Sequence, residues 1–420
     1  MENPQDHKEL KQAARTVVYH PVLNNTKNAD ARLEEACGLA KAIDLNVVYA
    51  THSNVKIPRA DILIGGGKAD ELGEYIQQNQ IELVFVDSRL SPIQQRNLEQ
   101  RWRCKVIDRS GLILEIFGAR AATAEGKLQV ELAALEYQRS RVVKSWTHLE
   151  RQRGGFGFVG GPGEKQIELD RRMIDERILK IKKDLKKVVR TRELHRKGRN
   201  DVPYTLVALV GYTNAGKSTL FNRLTNSDVL AEDMLFATLD PTMRMMELSS
   251  GRKIILSDTV GFISDLPTEL IAAFRATLEE VVEAHIILHV RDVANPMQQE
   301  QKDNVIQILT DLGLKDKMVS NYFELLNKAD LLDNDAAEVT GGGLRISALT
   351  GEGVDAVLKL IDEKISSSNL SKKYVIESHE SKKMAWLYQN ATVEKFSEKN
   401  NKITLHVNIS EKNAGRYESL

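Results

Sequence analysis

The chain has 420 residues, of which 42% are hydrophobic and 28% are charged, and 59 basic side chains balance 59 acidic ones. This composition is typical of a globular protein, and the length predicts about two to four domains. The polar N-terminus lacks the apolar core of a secretory signal, and no apolar run reaches the roughly 18 to 20 residues of a membrane helix. Two lone cysteines, Cys37 and Cys104, form neither a disulfide framework nor a zinc site, so we expect buried thiols and a cytoplasmic protein.

Short β-branched runs alternate with helical stretches between Arg15 and Ile113. This alternation predicts βα units around a parallel sheet, and we place an N-terminal α/β domain at residues 1–127. A run of three glycines and a lysine at 65–68 lacks the spacing and the hydroxyl of a phosphate-binding loop, and favours a turn before a helix. The predicted strands are 16–19, 45–49, 81–86 and 105–107, with a helix over 29–43 and another over 69–77.

Two apolar stripes follow, one from Leu128 to Leu149 and the other from Ile167 to Val188, each at spacings of three, four or seven. Such a stripe is typical of one face of a helix. Six of the ten residues from Gly154 to Gly163 are glycine, so no helix is expected to cross between the stripes. We therefore predict a long antiparallel helical hairpin with a glycine-rich tip over residues 128–200.

The second helix of this hairpin is strongly basic, because residues 171–199 hold thirteen lysines and arginines against four acidic residues. Such a stripe favours a polyanionic partner, and arginines and phenyl rings on a glycine-rich tip are suited to stacking on unpaired RNA bases. A solvated charged helix and a membrane-surface helix remain alternatives, although the apolar face of the helix is expected to face its partner helix. The candidate RNA-binding residues are Arg151, Arg153, Phe156, Phe158, Arg171 and Arg172.

Strand-like and helical segments alternate again over residues 201–366, and predict a second domain around a mostly parallel sheet. After a serine-rich link, residues 367–420 predict a small α+β domain. In it Lys402–Ile409 is a predicted strand, and 384–396 is either a helix or a helix and a strand. The predicted strands of the second domain are 204–210, 253–257, 285–290 and 319–326, and the segment 341–347 leads into the last one.

Four ordered motifs follow the predicted strands of the second domain. Gly211–Ser218 matches G-x-x-x-x-G-K-[ST] between a strand and a helix, which is the context that a phosphate-binding P-loop requires. Lys217 is expected to reach the β- and γ-phosphates, and Ser218 to bind Mg²⁺. Asp258-Thr259-Val260-Gly261 then places a carboxylate behind the magnesium ligands and the Gly261 N–H at the γ-phosphate.

Asn327-Lys328-Ala329-Asp330 predicts specificity for guanine. Asp330 can accept hydrogen bonds from the N1–H and the exocyclic amine of guanine, whereas adenine would leave the carboxylate unpaired. Asn327 and Lys328 are expected to brace the loop and cover the base. The backbone of Ser347-Ala348-Leu349 is expected to contact the guanine oxygen. The order of these motifs predicts a GTPase.

Two positions in these motifs bear on turnover. Of the threonines in the segment 236–242, Thr238 is preferred over Thr242 as the one that closes on magnesium and the γ-phosphate. Phe262 stands where many GTPases have a water-orienting glutamine, which predicts slow intrinsic turnover completed by a partner, an ion or another residue. Asn214 either helps to hold a potassium ion, as in a subset of GTPases, or caps the loop.

The predicted catalytic residues are Lys217, Thr238 and Gly261. Magnesium is assigned to Ser218 and Thr238, with Asp258 behind them. The predicted nucleotide contacts are Gly211, Tyr212, Thr213, Asn214, Ala215, Gly216, Lys217, Ser218, Thr219, Phe236, Ala237, Thr238, Leu239, Asp240, Asp258, Thr259, Val260, Gly261, Asn327, Lys328, Ala329, Asp330, Ser347, Ala348 and Leu349.

The glycine-rich segment 153–164, Arg-Gly-Gly-Phe-Gly-Phe-Val-Gly-Gly-Pro-Gly-Glu, together with Gln166–Arg172, resembles the signature of HflX-type GTPases. The segments Phe236–Thr242 and Asp258–Phe262 are also similar to that family, and the resemblance runs from about Arg15 to Leu420. It implies binding to the large ribosomal subunit and its RNA, with the hairpin tip near the peptidyl-transferase region. It also implies that the GTP form splits stalled or idle ribosomes, notably under heat stress. An ATPase activity has been proposed for the N-terminal region of the family, but this sequence contains no motif that would support it.

Our reading is a GTP-dependent, ribosome-binding GTPase, monomeric and without stable membrane insertion, whose turnover the ribosome stimulates. A membrane-associated regulatory GTPase that acts on a protease or a transporter is the alternative. A nucleotide-binding protein without turnover is a second alternative, against which the intact Lys217, Ser218 and Asp258 argue.

Overall fold

The computed structural model describes most of the chain, and the bounds given below are those of its helices and strands. The described residues are 14–23, 28–152, 162–199, 204–227, 235–236, 241–264, 278–332, 342–367, 370–377, 379–399, 402–409 and 411–418.

The N-terminal part forms the predicted parallel sheet, with four strands in the order β2-β1-β3-β4. Successive side chains of the central strand β1 point to opposite faces: Val18 packs in the core that holds α1 and α4, whereas Val17 and Tyr19 pack in the core that holds α2 and α3. Both faces are covered, so that residues Thr16 to Val22 of this strand are all buried. The elements are β1 Arg15–Leu23, α1 Ala29–Lys41, β2 Asn46–Val55, α2 Gly66–Gln78, β3 Leu83–Val86, α3 Pro92–Trp102, β4 Lys105–Asp108 and α4 Arg109–Arg120.

Gly65 is the N-cap of α2, and the residues at 66–68 form the first turn of that helix. The helix therefore starts three residues earlier than predicted, and the run is the start of the helix rather than a turn before it. Both cysteines are free thiols and half-buried rather than fully buried. Burial, with a smaller effect of Glu99, raises the pKa of the Cys104 thiol to about 11, which keeps it protonated and unreactive near neutral pH.

The hairpin consists of α5, Ala124–Gln152, and α6, Pro162–Arg199. Ile178 and Ile181 of the predicted stripe are buried against α5, where Ala133 is also buried. Exposed ion pairs join the two helices, including Arg177 with Glu131, Lys182 with Glu136 and Arg139 with Asp175. Such exposed pairs each contribute at most about 1 kcal/mol, so apolar burial is the main stabilising force.

The second domain has a six-stranded sheet in the order β10-β9-β8-β5-β7-β6, in which only β6 is antiparallel to its neighbour. The mostly parallel sheet is therefore confirmed. The elements are β5 Thr205–Gly211, α7 Lys217–Thr225, β6 Thr242–Glu247, β7 Lys253–Asp258, β8 Ile286–Asp292, α8 Gln298–Asp311, α9 Lys315–Asn321, β9 Tyr322–Asn327, a 3-10 turn Ala329–Leu331, β10 Leu344–Arg345 and α10 Val354–Ser367.

Two details of this sheet differ from the prediction. The strand expected over 319–326 begins only at Tyr322, because residues 319–321 complete α9, where Val319 is 87% exposed. The edge strand β6 was not predicted, since its sequence Thr-Met-Arg-Met-Met-Glu carries little burial and Met245 faces solvent.

The C-terminal domain is the small α+β unit that was predicted, with a three-stranded antiparallel sheet in the order β11-β13-β12. Residues 402–409 form the predicted strand. The segment 384–396 is a helix followed by a strand, the second of the two alternatives. The elements are β11 Leu370–Glu377, α11 Ser381–Asn390, β12 Thr392–Lys399, β13 Lys402–Ile409 and α12 Glu411–Glu418.

The N-terminal domain packs directly against the second domain. One continuous apolar core runs from α1 and α4 into the sheet around β5 and β8. Arg32 on α1 also forms an ion pair with Glu300 on α8.

Among the described residues, no helix combines the length and the apolar character needed to cross a bilayer.

Candidate nucleotide-binding site

The P-loop connects the central strand β5 to α7, as its motif requires. Three residues in it have a positive φ, Gly211 with 149°, Asn214 with 59° and Gly216 with 89°. A Cβ atom on Gly216 would lie 2.2 Å from Nδ2 of Asn327, so only glycine fits there. The loop therefore wraps closely around the start of α7, whose free N–H groups form an anion-binding end.

Lys217, the first residue of α7, lies beneath this loop and is 6% exposed. Its Nζ atom donates hydrogen bonds to the backbone oxygens of Tyr212, at 2.7 Å, and Gly211, at 3.2 Å. Burial lowers the pKa of its ammonium group to about 8, and Asp258 offsets only part of that effect. A phosphate group in the loop would restore the charged form, so the lysine is suited to bind anions.

Ser218 and Asp258 meet at the carboxyl end of the sheet. The Ser218 hydroxyl donates to Oδ2 of Asp258 at 2.7 Å, and Asp258 is fully buried at the end of β7. The pair offers the hard oxygen donors that Mg²⁺ prefers, next to the anion-binding end of α7, so these residues fit the ion. Thr242, the alternative switch threonine, opens β6 directly opposite Asp258.

The preferred switch threonine, Thr238, lies outside the described residues, as do Ala237, Leu239 and Asp240. Phe236 is described, and its ring is buried against Phe117 of α4, with ring centroids 4.8 Å apart in an edge-to-face arrangement. Its side chain thus packs in the contact between the two domains.

The segment that follows Asp258 lies against the P-loop. Phe262 N–H donates to Gly211 O at 3.0 Å, and Thr213 N–H donates to Phe262 O at 2.8 Å. Gly261 comes so close that an added Cβ would lie 2.8 Å from Cα of Thr213 and 3.0 Å from Nζ of Lys217. The backbone N–H of Gly261 is therefore held in the region where Lys217 would meet a γ-phosphate.

Phe262 itself is 2% exposed and packs into the core. This burial shows that the ring packs inward. Phe262 therefore supplies no group that could orient a water molecule.

Asn327 joins the base-recognition motif to the P-loop. Its Nδ2 atom donates to Ala215 O at 2.7 Å, and its Oδ1 atom accepts the N–H of Ala348 at 2.8 Å. Lys328, in the left-handed conformation, forms a 2.8 Å ion pair with Asp292 at the end of β8. Asp330 is exposed in the following 3-10 turn, where its carboxylate is accessible to a base.

Arg223 on α7 was not predicted to take part in the site. Its Nε atom donates to Ala348 O at 2.7 Å, and its Nη2 atom donates to Leu349 O. Together with Asn327 it fixes the Ser347–Leu349 loop from both sides. No motif marks this arginine, because its role depends on a contact 125 residues away.

The candidate RNA-binding residues are only partly described. Arg171 and Arg172 are exposed on α6. Arg153, Phe156 and Phe158 lie outside the described residues, and Arg151 is described only as part of the α5 backbone.

A P-loop at the end of the central strand, a hydroxyl–carboxylate pair beside it and a braced Asn-Lys-x-Asp loop define a GTP-binding, GTP-hydrolysing P-loop protein. Four family models match consecutive parts of the chain: the GTP-binding GTPase N-terminal region at 30–118, the GTP-binding GTPase middle region at 120–199, the 50S ribosome-binding GTPase at 206–328 and the HflX C-terminal domain at 334–419. The chain belongs to the HflX family of GTPases.

Two HflX relatives agree with this assignment. The GTPase HflX of Magnetococcus marinus is 49% identical over 84% of this chain and 82% of its own length. The GTPase HflX of Escherichia coli is 39% identical over 90% of this chain and 89% of its own. The crystal structure of a GTP-binding protein from Sulfolobus solfataricus in complex with GDP covers 84% of this chain and 99% of its own, at 22% identity and a TM-score of 0.45.

Proposed function

We propose that this GTPase is a switch that binds the large ribosomal subunit in its GTP form and separates stalled or idle ribosomes, notably under stress. The match of residues 206–328 to the 50S ribosome-binding GTPase model supports the ribosomal partner. The proposal includes a monomeric, cytoplasmic protein. The main support for contact with ribosomal RNA is the charge distribution on α6.

Four basic side chains of α6 form an exposed stripe opposite its buried face. Lys180, Lys183, Lys187 and Arg190 recur at intervals of three and four residues, and all four are exposed. Ile178 and Ile181 pack against α5 on the other side of the helix. The exposed cations from Arg171 to Arg190 extend over about 30 Å, which suits a row of backbone phosphates.

In the proposed nucleotide complex, Lys217 binds the β- and γ-phosphates and Ser218 binds magnesium together with Thr238. Magnesium, when bound, neutralises the charge that develops on the phosphates. The Gly261 N–H contacts the γ-phosphate, and this contact distinguishes GTP from GDP. Asp330 accepts the N1–H and the amine of guanine, while Asn327 and Arg223 hold the two loops at the base in place.

The same proposal includes slow hydrolysis by the isolated chain, because the buried ring of Phe262 cannot orient water. The ribosome, or a potassium ion held near Asn214, would supply the missing contribution. Asn214 is exposed on the P-loop, where its side chain is accessible. Hydrolysis that is faster in potassium than in sodium buffer, and loses this difference in Asn214→Ala, would support the ion.

Sedimentation with isolated large ribosomal subunits tests the partner. We expect co-sedimentation with a non-hydrolysable GTP analogue and much less with GDP. Reversing the charge of Lys180 and Lys183 to glutamate should abolish it. A matched variant that reverses the exposed Lys315 and Lys359 of the GTPase domain makes the same net charge change and should still bind. Equal binding by both variants, or binding to anionic lipid vesicles and not to subunits, would contradict the proposal.

A further inference from the structure

The two segments of the GTPase domain that flank the phosphate site both pack against the N-terminal domain. Leu235 lies on α1, where an added Cβ on Gly38 would be 3.2 Å from its Cδ1 atom, and Phe236 packs on Phe117. Ser264, three residues after Gly261, accepts a hydrogen bond at its backbone oxygen from Nη2 of Arg109 at 2.9 Å. The N-terminal domain is therefore in direct contact with both of these segments, a few residues from Thr238 and Gly261, the residues proposed to sense the γ-phosphate.

Arg109 is the central residue of a buried charge cluster at the carboxyl edge of the N-terminal sheet. Its Nη1 atom donates to Asp87, and its Nη2 atom donates to Glu35 and to Ser264 O. The Asp87 carboxylate is also bonded to Nδ1 of His20 at 2.8 Å. The carboxyl edge of a parallel sheet is the usual place for a ligand. In this protein, that edge of the N-terminal sheet instead contacts the GTPase domain at Ser264.

The electrostatics of the cluster show that it is built around the charged guanidinium group. Arg109 is 6% exposed, and burial disfavours its charge, but Asp87 and Glu35 raise its pKa well beyond the usual range. Burial also raises the pKa of Asp87, yet Arg109 and His20 together hold it below its ordinary value. Two buried carboxylates thus orient one arginine, so that its Nη2 atom is fixed towards Ser264.

The contact at Ser264 continues to the P-loop. The Ser264 hydroxyl is bonded to the hydroxyl of Tyr212, which is the second residue of the P-loop, and lies 3.4 Å from Glu35. Two residues earlier, the backbone of Phe262 is paired with Gly211 and Thr213. The segment from Gly261 to Ser264 is therefore held at one end by the P-loop and at the other by Arg109.

We propose that Arg109 is a positioning residue for GTP hydrolysis, which holds Ser264 and thereby aligns the Gly261 N–H with the γ-phosphate. The physical reason is preorganisation: a donor that is already in place stabilises the transition state without reorganising as the reaction proceeds. GDP makes no contact with Gly261, so its affinity should not depend on Arg109. The proposal concerns hydrolysis by the chain alone and does not depend on ribosome binding.

The arrangement also connects the basic hairpin to the contact between Arg109 and Ser264. The helix α4 that begins with Arg109 is followed directly by α5 of the basic hairpin. A displacement of the N-terminal domain would therefore move Arg109 relative to Ser264 and change the hydrolysis rate.

The test compares Arg109→Lys with Arg32→Lys. Arg109→Lys keeps a positive charge for Asp87 and Glu35, but it removes the two separate nitrogens of the planar fork with which Arg109 reaches Asp87 and Ser264 O at the same time. Arg32 also connects these two domains, but through its ion pair with Glu300 and not through Ser264. It therefore controls for weakened domain packing.

We expect Arg109→Lys to lower kcat for GTP hydrolysis about tenfold, which corresponds to about 1.4 kcal/mol. Its affinity for a non-hydrolysable GTP analogue should fall relative to GDP, whereas GDP affinity and melting temperature stay near wild type. Arg32→Lys should keep the wild-type kcat.

Four results would overturn the proposal. These are a wild-type or increased kcat in Arg109→Lys, an equal loss of kcat in Arg32→Lys, a loss of GDP affinity in parallel with kcat, and a loss of folded protein that accounts for the lower rate. Ser264→Ala, which removes the hydroxyl bonded to Tyr212 and Glu35 but keeps the backbone oxygen that Arg109 binds, should lower kcat less than Arg109→Lys does. A larger loss would also contradict the central role of Arg109.

Discussion

Replacement of Asn327 by aspartate changes one atom at the centre of the nucleotide site. The side chain is 2% exposed, and its Nδ2 atom lies 2.7 Å from Ala215 O. In the variant a carboxylate oxygen would face that carbonyl oxygen, so both atoms would be acceptors. The bond from Ala348 N–H to Oδ1 would be kept. The P-loop would then lose its connection to the base-recognition loop, while the shape of the side chain stays the same.

The expected loss follows from that geometry. A buried carbonyl without its donor costs about 1–3 kcal/mol, and burial of the new charge adds to this. A total near 3 kcal/mol would weaken GDP binding by about a hundredfold, which titration of a fluorescent GDP analogue would measure. Burial should also raise the pKa of the introduced carboxyl, and its protonated form can donate to Ala215 O. The affinity of the variant should therefore recover as the pH falls from 8 to 5.5.

Asn226→Asp is the matched control, because Asn226 is exposed at the end of α7 and the charge change is identical. Its GDP affinity should stay within about twofold of wild type, as expected for surface substitutions. The reasoning is refuted if Asn327→Asp binds GDP normally at pH 8, or if the control loses as much affinity.

Three further predictions follow from the site. Gly261→Ala places a methyl group 2.8 Å from Thr213 and 3.0 Å from Lys217. The rate of single-turnover hydrolysis should therefore fall about a hundredfold, while GDP affinity stays within a few-fold of wild type. A wild-type rate of hydrolysis would contradict this. The pKa of Lys217 is about 8 without nucleotide and should rise when a phosphate binds. Calorimetry in two buffers at pH 8 should therefore detect the uptake of about half a proton with GDP, and GDP should bind more weakly at higher pH. Burial, with smaller effects of nearby cations, lowers the pKa of His289 to about 3, so this neutral histidine favours the folded state above pH 6.5. Below pH 6.5 the unfolded state binds this proton and the folded state does not, so the free energy of unfolding falls by about 1.4 kcal/mol per pH unit. Urea unfolding of His289→Gln should therefore show a weaker dependence on pH between 7 and 5.

The sequence was sufficient to predict the elements and motifs that depend on neighbouring residues. Period-two alternation defined Lys402–Ile409, and the buried run before Gly211 defined the central strand. The placement of Lys217, Ser218 and Asp258 near one another follows from the rule that parallel strands end at a common edge.

What could not be predicted are the contacts between distant parts of the chain. Arg109 and Ser264 are 155 residues apart, and no periodicity links them. Arg223 lies on the exposed side of an ordinary helix pattern, and only the fold brings it to Ala348. The inward packing of Phe262 likewise depends on the tertiary core, because an aromatic side chain at that position is compatible with either direction. The strand β6 was missed because an edge strand buries little and gives a weak pattern.

The measurement that tests the account most directly is the rate of GTP hydrolysis with and without purified large ribosomal subunits. The account predicts slow hydrolysis by the chain alone and strong stimulation by the subunits. The stimulation should disappear when Lys180 and Lys183 are reversed to glutamate, and should persist when Lys315 and Lys359 are reversed. Equal rates with and without subunits, in a protein that still binds GTP, would contradict the proposed ribosome-driven cycle.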